Sequence, residues 1–119
     1  MYSPQLLDHF QHPRNAGELQ DPDARAEVQN PGCGDVLLLT AKVSEGRIEE
    51  IRFKAKGCVA VMACASALTE LVKGKTVQEA STLPKEALVS EVGGLPEASA
   101  HAGQLAFDAL TTILSNIKT

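Results

Sequence analysis

Residues 36–56 read VLLLTAKVSEGRIEEIRFKAK, and this stretch decides the fold. Val36–Val43 is a strand by its apolar content. Ser44-Glu45-Gly46-Arg47 is a turn, and from Ile48 to Lys56 the residues Ile51, Phe53 and Ala55 alternate with Arg52, Lys54 and Lys56. A period of two with charge on alternate positions predicts an antiparallel hairpin with one wet face. Beyond it, Gly57-Cys58 closes the second strand, and Val59–Lys73 has helical length and composition with Gly74 as its stop. Before it, Asn30-Pro31-Gly32-Cys33-Gly34-Asp35 cannot continue a ladder, because Pro31 has no donor and two glycines relax the backbone. A short strand is predicted upstream, around Ala24–Gln29.

The flanks read as helices. Ser3-Pro4 supplies an oxygen-bearing cap and a proline at the first helical position, and Pro13 ends the segment, so residues 4–11 are predicted helical. Thr76 and Glu79 form a capping box for a short helix. Pro84 is expected at the first position of another, ending near Gly93-Gly94. Leu105, Ala106, Ala109, Leu110, Ile113, Leu114 and Ile117 recur at helical spacing and predict a final amphipathic helix.

The chain has 119 residues, 44% hydrophobic and 22% charged, with only 3% aromatic. One domain spanning residues 1–119 is expected, with a core of small aliphatic side chains. A net charge of −4 argues against a nucleic-acid partner, since phosphate backbones are held by clustered Lys and Arg. The longest apolar run, Val59–Ala65, is too short to span a bilayer, and Asp8 and His9 interrupt any secretory signal; a soluble cytoplasmic protein is expected. Three cysteines, an odd number, suit reduced thiols better than a disulfide framework.

Two of those cysteines are flanked by glycine, Cys33 in Pro-Gly-Cys-Gly-Asp and Cys58 in Lys-Gly-Cys-Val. Cys33 precedes the first hairpin strand and Cys58 follows the second, so antiparallel pairing brings both to one end of the sheet. Asp35 can place a carboxylate at the same point. These residues read either as metal ligands or as two small buried hydrophobes beside a turn aspartate. His101 sits near the start of the last helix, with Ser99 as candidate N-cap. A helix N-terminus disfavours imidazolium and keeps a ring lone pair available. A lone histidine is weak evidence, so its claim rests on a fourth-ligand place: with Cys33, Asp35 and Cys58 it completes a set reasonable for tetrahedral zinc. Cys64, six residues past Cys58, points elsewhere on the helix and is assigned to core packing. His9 and His12 are assigned to the surface. No phosphate loop or dinucleotide fingerprint occurs, no catalytic triad can be assigned, and the chain is not expected to be a self-sufficient enzyme.

In this order, Tyr2 with Asp8-His9-Phe10, Pro13-Arg14-Asn15 with Gly17, Cys33-Gly34-Asp35, Lys56-Gly57-Cys58, Val72-Lys73-Gly74-Lys75 and Leu105-Ala106 with Asp108-Ala109 resemble the NifU/IscU family of iron-sulfur cluster assembly scaffolds. The resemblance implies an α+β fold, a three-stranded antiparallel sheet packed by helices with a long C-terminal helix. It also implies a cluster or zinc site at one end, a cysteine desulfurase partner and apo iron-sulfur clients. The family carries a third cysteine after the histidine, where this chain has Ala102. Its chaperone-recognition segment, Leu-Pro-Pro-Val-Lys, reads here Leu95-Pro96-Glu97-Ala98-Ser99, so dependence on an Hsp70-type chaperone is not expected. The expected cargo is a labile Fe-S cluster, of 2Fe-2S type, or iron or Zn2+, held by Cys33, Asp35, Cys58 and His101. The alternatives are a zinc-bound sulfur acceptor for a cysteine desulfurase and a regulatory decoy with the scaffold fold.

Overall fold

The hairpin predicted from residues 36–56 is the centre of the molecule. In the computed structural model, which describes residues 2–30 and 34–117, β1 (Ala24–Asn30), β2 (Asp35–Ser44) and β3 (Arg47–Lys56) form an antiparallel sheet in the order β1-β2-β3. Glu45 and Gly46 both have positive φ, 54° and 75°, the backbone of a two-residue hairpin turn whose twist matches that of the strands. The ladder runs Lys42↔Glu50 and then Val43↔Ile48, so Glu49 is an extra residue in β3. This bulge shifts the phase of the pleat and lets Ile48 and Ile51, three apart, both lie in the core.

Helices cover the inner face of the sheet. Leu37, Leu39, Ala41, Ile51 and Phe53 are buried there against α2 (Val59–Val72) and α5 (Ala100–Asn116). Ten of the 14 residues of α2 are buried, so it is a central helix with little wet surface. α5 instead buries one stripe, including Leu105, Ala109 and Ile113. α1 (Pro4–Gln11) packs on α2, with Ser3 Oγ accepting from the Leu6 N–H at 3.0 Å. α3 (Val77–Ser81) carries the expected capping box: Thr76 Oγ1 accepts from Glu79 N–H at 3.0 Å, and Glu79 Oε1 accepts from Thr76 N–H at 2.8 Å.

Three expectations change. Pro84 is the N-cap of α4 (Lys85–Glu91), one place before the first helical residue. Ser99 makes no side-chain cap bond: the chain enters α5 through a 3-10 turn at Glu97–Ser99, and at ψ 9° its hydroxyl is not held in the extended geometry from which a cap reaches forward. His9 is buried, not on the surface, with Nδ1 2.9 Å from Ser66 Oγ. Ser66 Oγ also accepts from the Arg14 N–H at 2.9 Å. The Ser66 hydroxyl thus ties the His9 ring to the Arg14 backbone. Burial and the Arg14 charge hold the His9 pKa below its ordinary value. Among the described residues, no helix is long and apolar enough to cross a membrane.

Candidate metal centre

Three chain segments meet at the end of the sheet away from the hairpin turn. Asp35 opens β2 and is 2% exposed. Register pairing of Val36 with Lys56 sets Asp35 beside the corner at which β3 ends and α2 begins. Gly57 makes that corner with φ 144°, a backbone angle that residues with a Cβ avoid. Cys58 follows as the N-cap of α2, and its side chain makes no cap bond. Its backbone N–H donates to Asp35 Oδ1 at 3.3 Å. His101, the second residue of α5, comes in from the opposite side.

The side chains converge. His101 Nε2 lies 3.3 Å from Asp35 Oδ2 and 4.0 Å from Cys58 Sγ, and one donor atom from each of Asp35, Cys58 and His101 falls within 4.8 Å of the others. Ligands at about 2.0–2.3 Å around a tetrahedral ion stand roughly 3.3–3.8 Å apart, a range that the two shorter separations bracket. Asp35 Oδ2 is buried and, among the described residues, has no hydrogen-bond partner; His101 Nε2, 3.3 Å away, forms an ion pair with it only when the ring is protonated. A buried carboxylate oxygen in that condition is costly, and a cation beside it would remove the cost. The residues present therefore fit a bound cation. They face an open cleft of about 540 Å³, which Tyr2 and Ser99 also line.

Of the four residues expected to form one site, the structure brings Asp35, Cys58 and His101 together. Cys33 lies outside the described residues. Cys64 is fully buried in the core, and burial, with a smaller contribution from Cys58, pushes its thiol up to about 12. It is inert at neutral pH. Ala102 is also fully buried in the hydrophobic core. Gly57, Tyr2 and Ser99 were not singled out as site residues. The signal for Gly57 was its place directly before Cys58 at a strand-to-helix corner, whereas nothing local marks Tyr2 or Ser99, which reach the cleft only through tertiary packing.

Comparison with known proteins speaks to the family and the fold. The NifU-like N-terminal domain matches residues 1–119. The iron-sulfur cluster assembly scaffold protein IscU 1 of Archaeoglobus fulgidus is 46% identical over 110 residues, covering 92% of this chain and 72% of that protein. IscU of Azotobacter vinelandii is 41% identical over 121 residues, covering 98% of this chain and 94% of its own. The crystal structure of the N-terminal part of a NifU-like protein from Brucella abortus superposes with a TM-score of 0.78 at 22% identity, over 97% of this chain and 92% of that one; at that identity the likeness speaks for the fold. With its sheet, its long last helix and its full-length match, the chain belongs to the NifU-like N-terminal domain family.

Proposed function

We propose that this protein is an iron-sulfur cluster assembly scaffold or carrier whose cargo is a labile Fe-S cluster, of 2Fe-2S type, bound by Cys33, Asp35, Cys58 and His101 and passed to apoproteins. The observation that carries this reading is Asp35 Oδ2, buried beside Cys58 Sγ and His101 Nε2 at the edge of an open cleft and without a hydrogen bond among the described residues. Relatives that carry the scaffold name support it. Two cysteines, one carboxylate and one imidazole give fewer thiolates than the four that hold stable clusters, so cargo bound here is easily given up. The open cleft leaves it accessible to a recipient. The partners in this reading are a cysteine desulfurase and apo clients in the cytoplasm.

A second reading follows from the same mixture of sulfur, nitrogen and oxygen donors, which also suits Zn2+: a zinc-bound sulfur acceptor for a desulfurase. Anaerobic addition of ferric iron and sulfide separates the two. The scaffold reading expects a visible charge-transfer band in the parent and its loss in Cys58→Ser. Zinc as the only bound metal, together with stimulation of a desulfurase, would replace it by the acceptor. Absence of the band, of zinc and of stimulation would leave the decoy.

A further inference from the structure

Positive charge collects on the outer face of the sheet. The pleat places Arg25 of β1, Lys42 of β2 and Arg52, Lys54 and Lys56 of β3 on that side, opposite the helices. These are five of the chain's 11 basic residues. They share the face with Glu27 and Glu50 of the strands and with Glu18 of the loop that crosses it, which leaves an excess of positive charge on this side of a chain of net charge −4.

The middle of the face is covered from within. Gly17 N–H donates to the Phe53 carbonyl at 2.8 Å, and Leu19 N–H donates to Thr40 Oγ1 at 3.0 Å. Between them, Glu18 stands 3.9 Å from Arg25 and 4.0 Å from Lys54. Among the described residues, none covers the end nearest the candidate metal centre. There Lys54 and Lys56, both exposed, flank Val36 and Leu38, and with Glu27 on the far side they enclose a cleft of about 280 Å³. Lys56 makes no ion pair among the described residues.

An apolar floor with a charged rim is the anatomy of a protein contact, and an excess of one sign selects partners of the other. A phosphate backbone gains nothing from the floor and is repelled by the interleaved carboxylates. We propose that this open end of the sheet face docks an acidic protein partner, which sets an apolar side chain on the Val36–Leu38 floor between the two lysines. Only Gly57 separates Lys56 from Cys58, and Val36 directly follows Asp35. A partner seated here is therefore held beside the metal centre, while the cleft over Cys58 and His101, lined by other residues, stays open to a second molecule. This surface does not depend on which cargo the centre carries.

The test is an NMR titration of the intact chain at low salt, with a synthetic peptide of glutamates around a central leucine as the probe. The expected result is amide shift changes centred on Val36, Leu38, Lys54 and Lys56. Affinity should fall at least about tenfold, equal to about 1.4 kcal/mol, in the Lys54→Glu/Lys56→Glu variant and also, by a smaller factor, in Lys54→Gln/Lys56→Gln. Lys42→Glu, on the same face at its other end, should change it less than about twofold. Zinc binding by the charge-reversed variant should match the parent, showing that the surface and not the centre was altered. The proposal is overturned if the lysine variants bind the peptide as the parent does or if Lys42→Glu is as damaging as the double reversal. Tighter binding of a DNA duplex, or of vesicles containing phosphatidylserine, than of the peptide would also overturn it.

Discussion

Asp35 Oδ1 occupies the space that a Cβ on Gly57 would need: the two would stand 2.1 Å apart, with the Asp35 Cγ at 2.9 Å. Neither contact is tolerable. The glycine therefore does more than turn the chain, since it admits the carboxylate to its place beside Cys58 and His101.

Gly57→Ala is expected to displace the Asp35 carboxylate, lowering zinc occupancy and destabilising the fold by about 1–3 kcal/mol, part of it from the strained φ. Adding Asp35→Ala should recover some of the stability, because the clash is gone, and none of the zinc. Calorimetric melting with metal analysis of the two variants checks this. Equal melting temperatures for the single and double variants would remove the clash from the explanation.

The thiols should separate cleanly. Cys58→Ser lowers zinc or cluster occupancy strongly, and Cys33→Ser does the same if that thiol joins the site as proposed. Cys64→Ser should leave occupancy per folded molecule unchanged while costing about 1–3 kcal/mol for a hydroxyl placed in an apolar core. With its thiol pushed up to about 12, Cys64 should resist alkylation in the native protein and react on unfolding. Loss of metal on Cys64→Ser with retention on Cys58→Ser would reverse the assignment.

His9 gives a dependence on pH. Its folded pKa is depressed below the ordinary 6.5 by burial and by Arg14, against weaker opposing contributions from Glu91, Asp8 and Glu70. The unfolded chain thus takes up the proton first as pH falls. The stabilising contribution of neutral His9 is whole above about pH 6.5 and is lost progressively below it, down to the folded pKa. Denaturant midpoints measured from pH 7.5 to 5 should fall less steeply in His9→Gln than in the parent. Parallel slopes would show that His9 does not carry the effect.

Restoring the family's third cysteine with Ala102→Cys looks on sequence grounds like a gain of function. Ala102 is completely buried in the core, so the introduced thiol is expected to be shielded from alkylation. It should leave the rate of visible-band growth with desulfurase and iron within about twofold of the parent. A several-fold faster band would mean that the first turn of α5 opens to bring that position to the cleft.

Much of this was legible in the chain because it rests on local chemistry. The Val36–Lys56 alternation, the Ser3-Pro4 start, the Thr76–Glu79 box and the Gly74 stop each encode an element through neighbouring residues. Hairpin pairing was expected to bring Cys33 and Cys58 to one end of the sheet with Asp35 at the same point, and of these the structure sets Asp35 beside Cys58, while Cys33 lies outside the described residues. What was not legible depends on long-range packing. The burial of His9 is decided by Ser66, 57 residues away. The bulge that brings Ile48 inward is a property of the paired strands. Ser99 looked like a cap because its type suits one, and the 3-10 turn that deprives it of that role has no signature in Glu97-Ala98-Ser99.

The three converging side chains, Asp35, Cys58 and His101, are separated along the chain by 23 and 43 residues, and they belong to the start of β2, the head of α2 and the first turn of α5. An ion held by all three is a cross-link that closes two long loops, and closing such loops in advance removes freedom from the unfolded chain. Loading is then linked to folding: because the ion prefers the native chain, its concentration sets the melting temperature. Surrendering it loosens the joint between the sheet and its two principal helices. If this chain carries cargo as proposed, the empty state is the softer one, and release is paid for in rigidity.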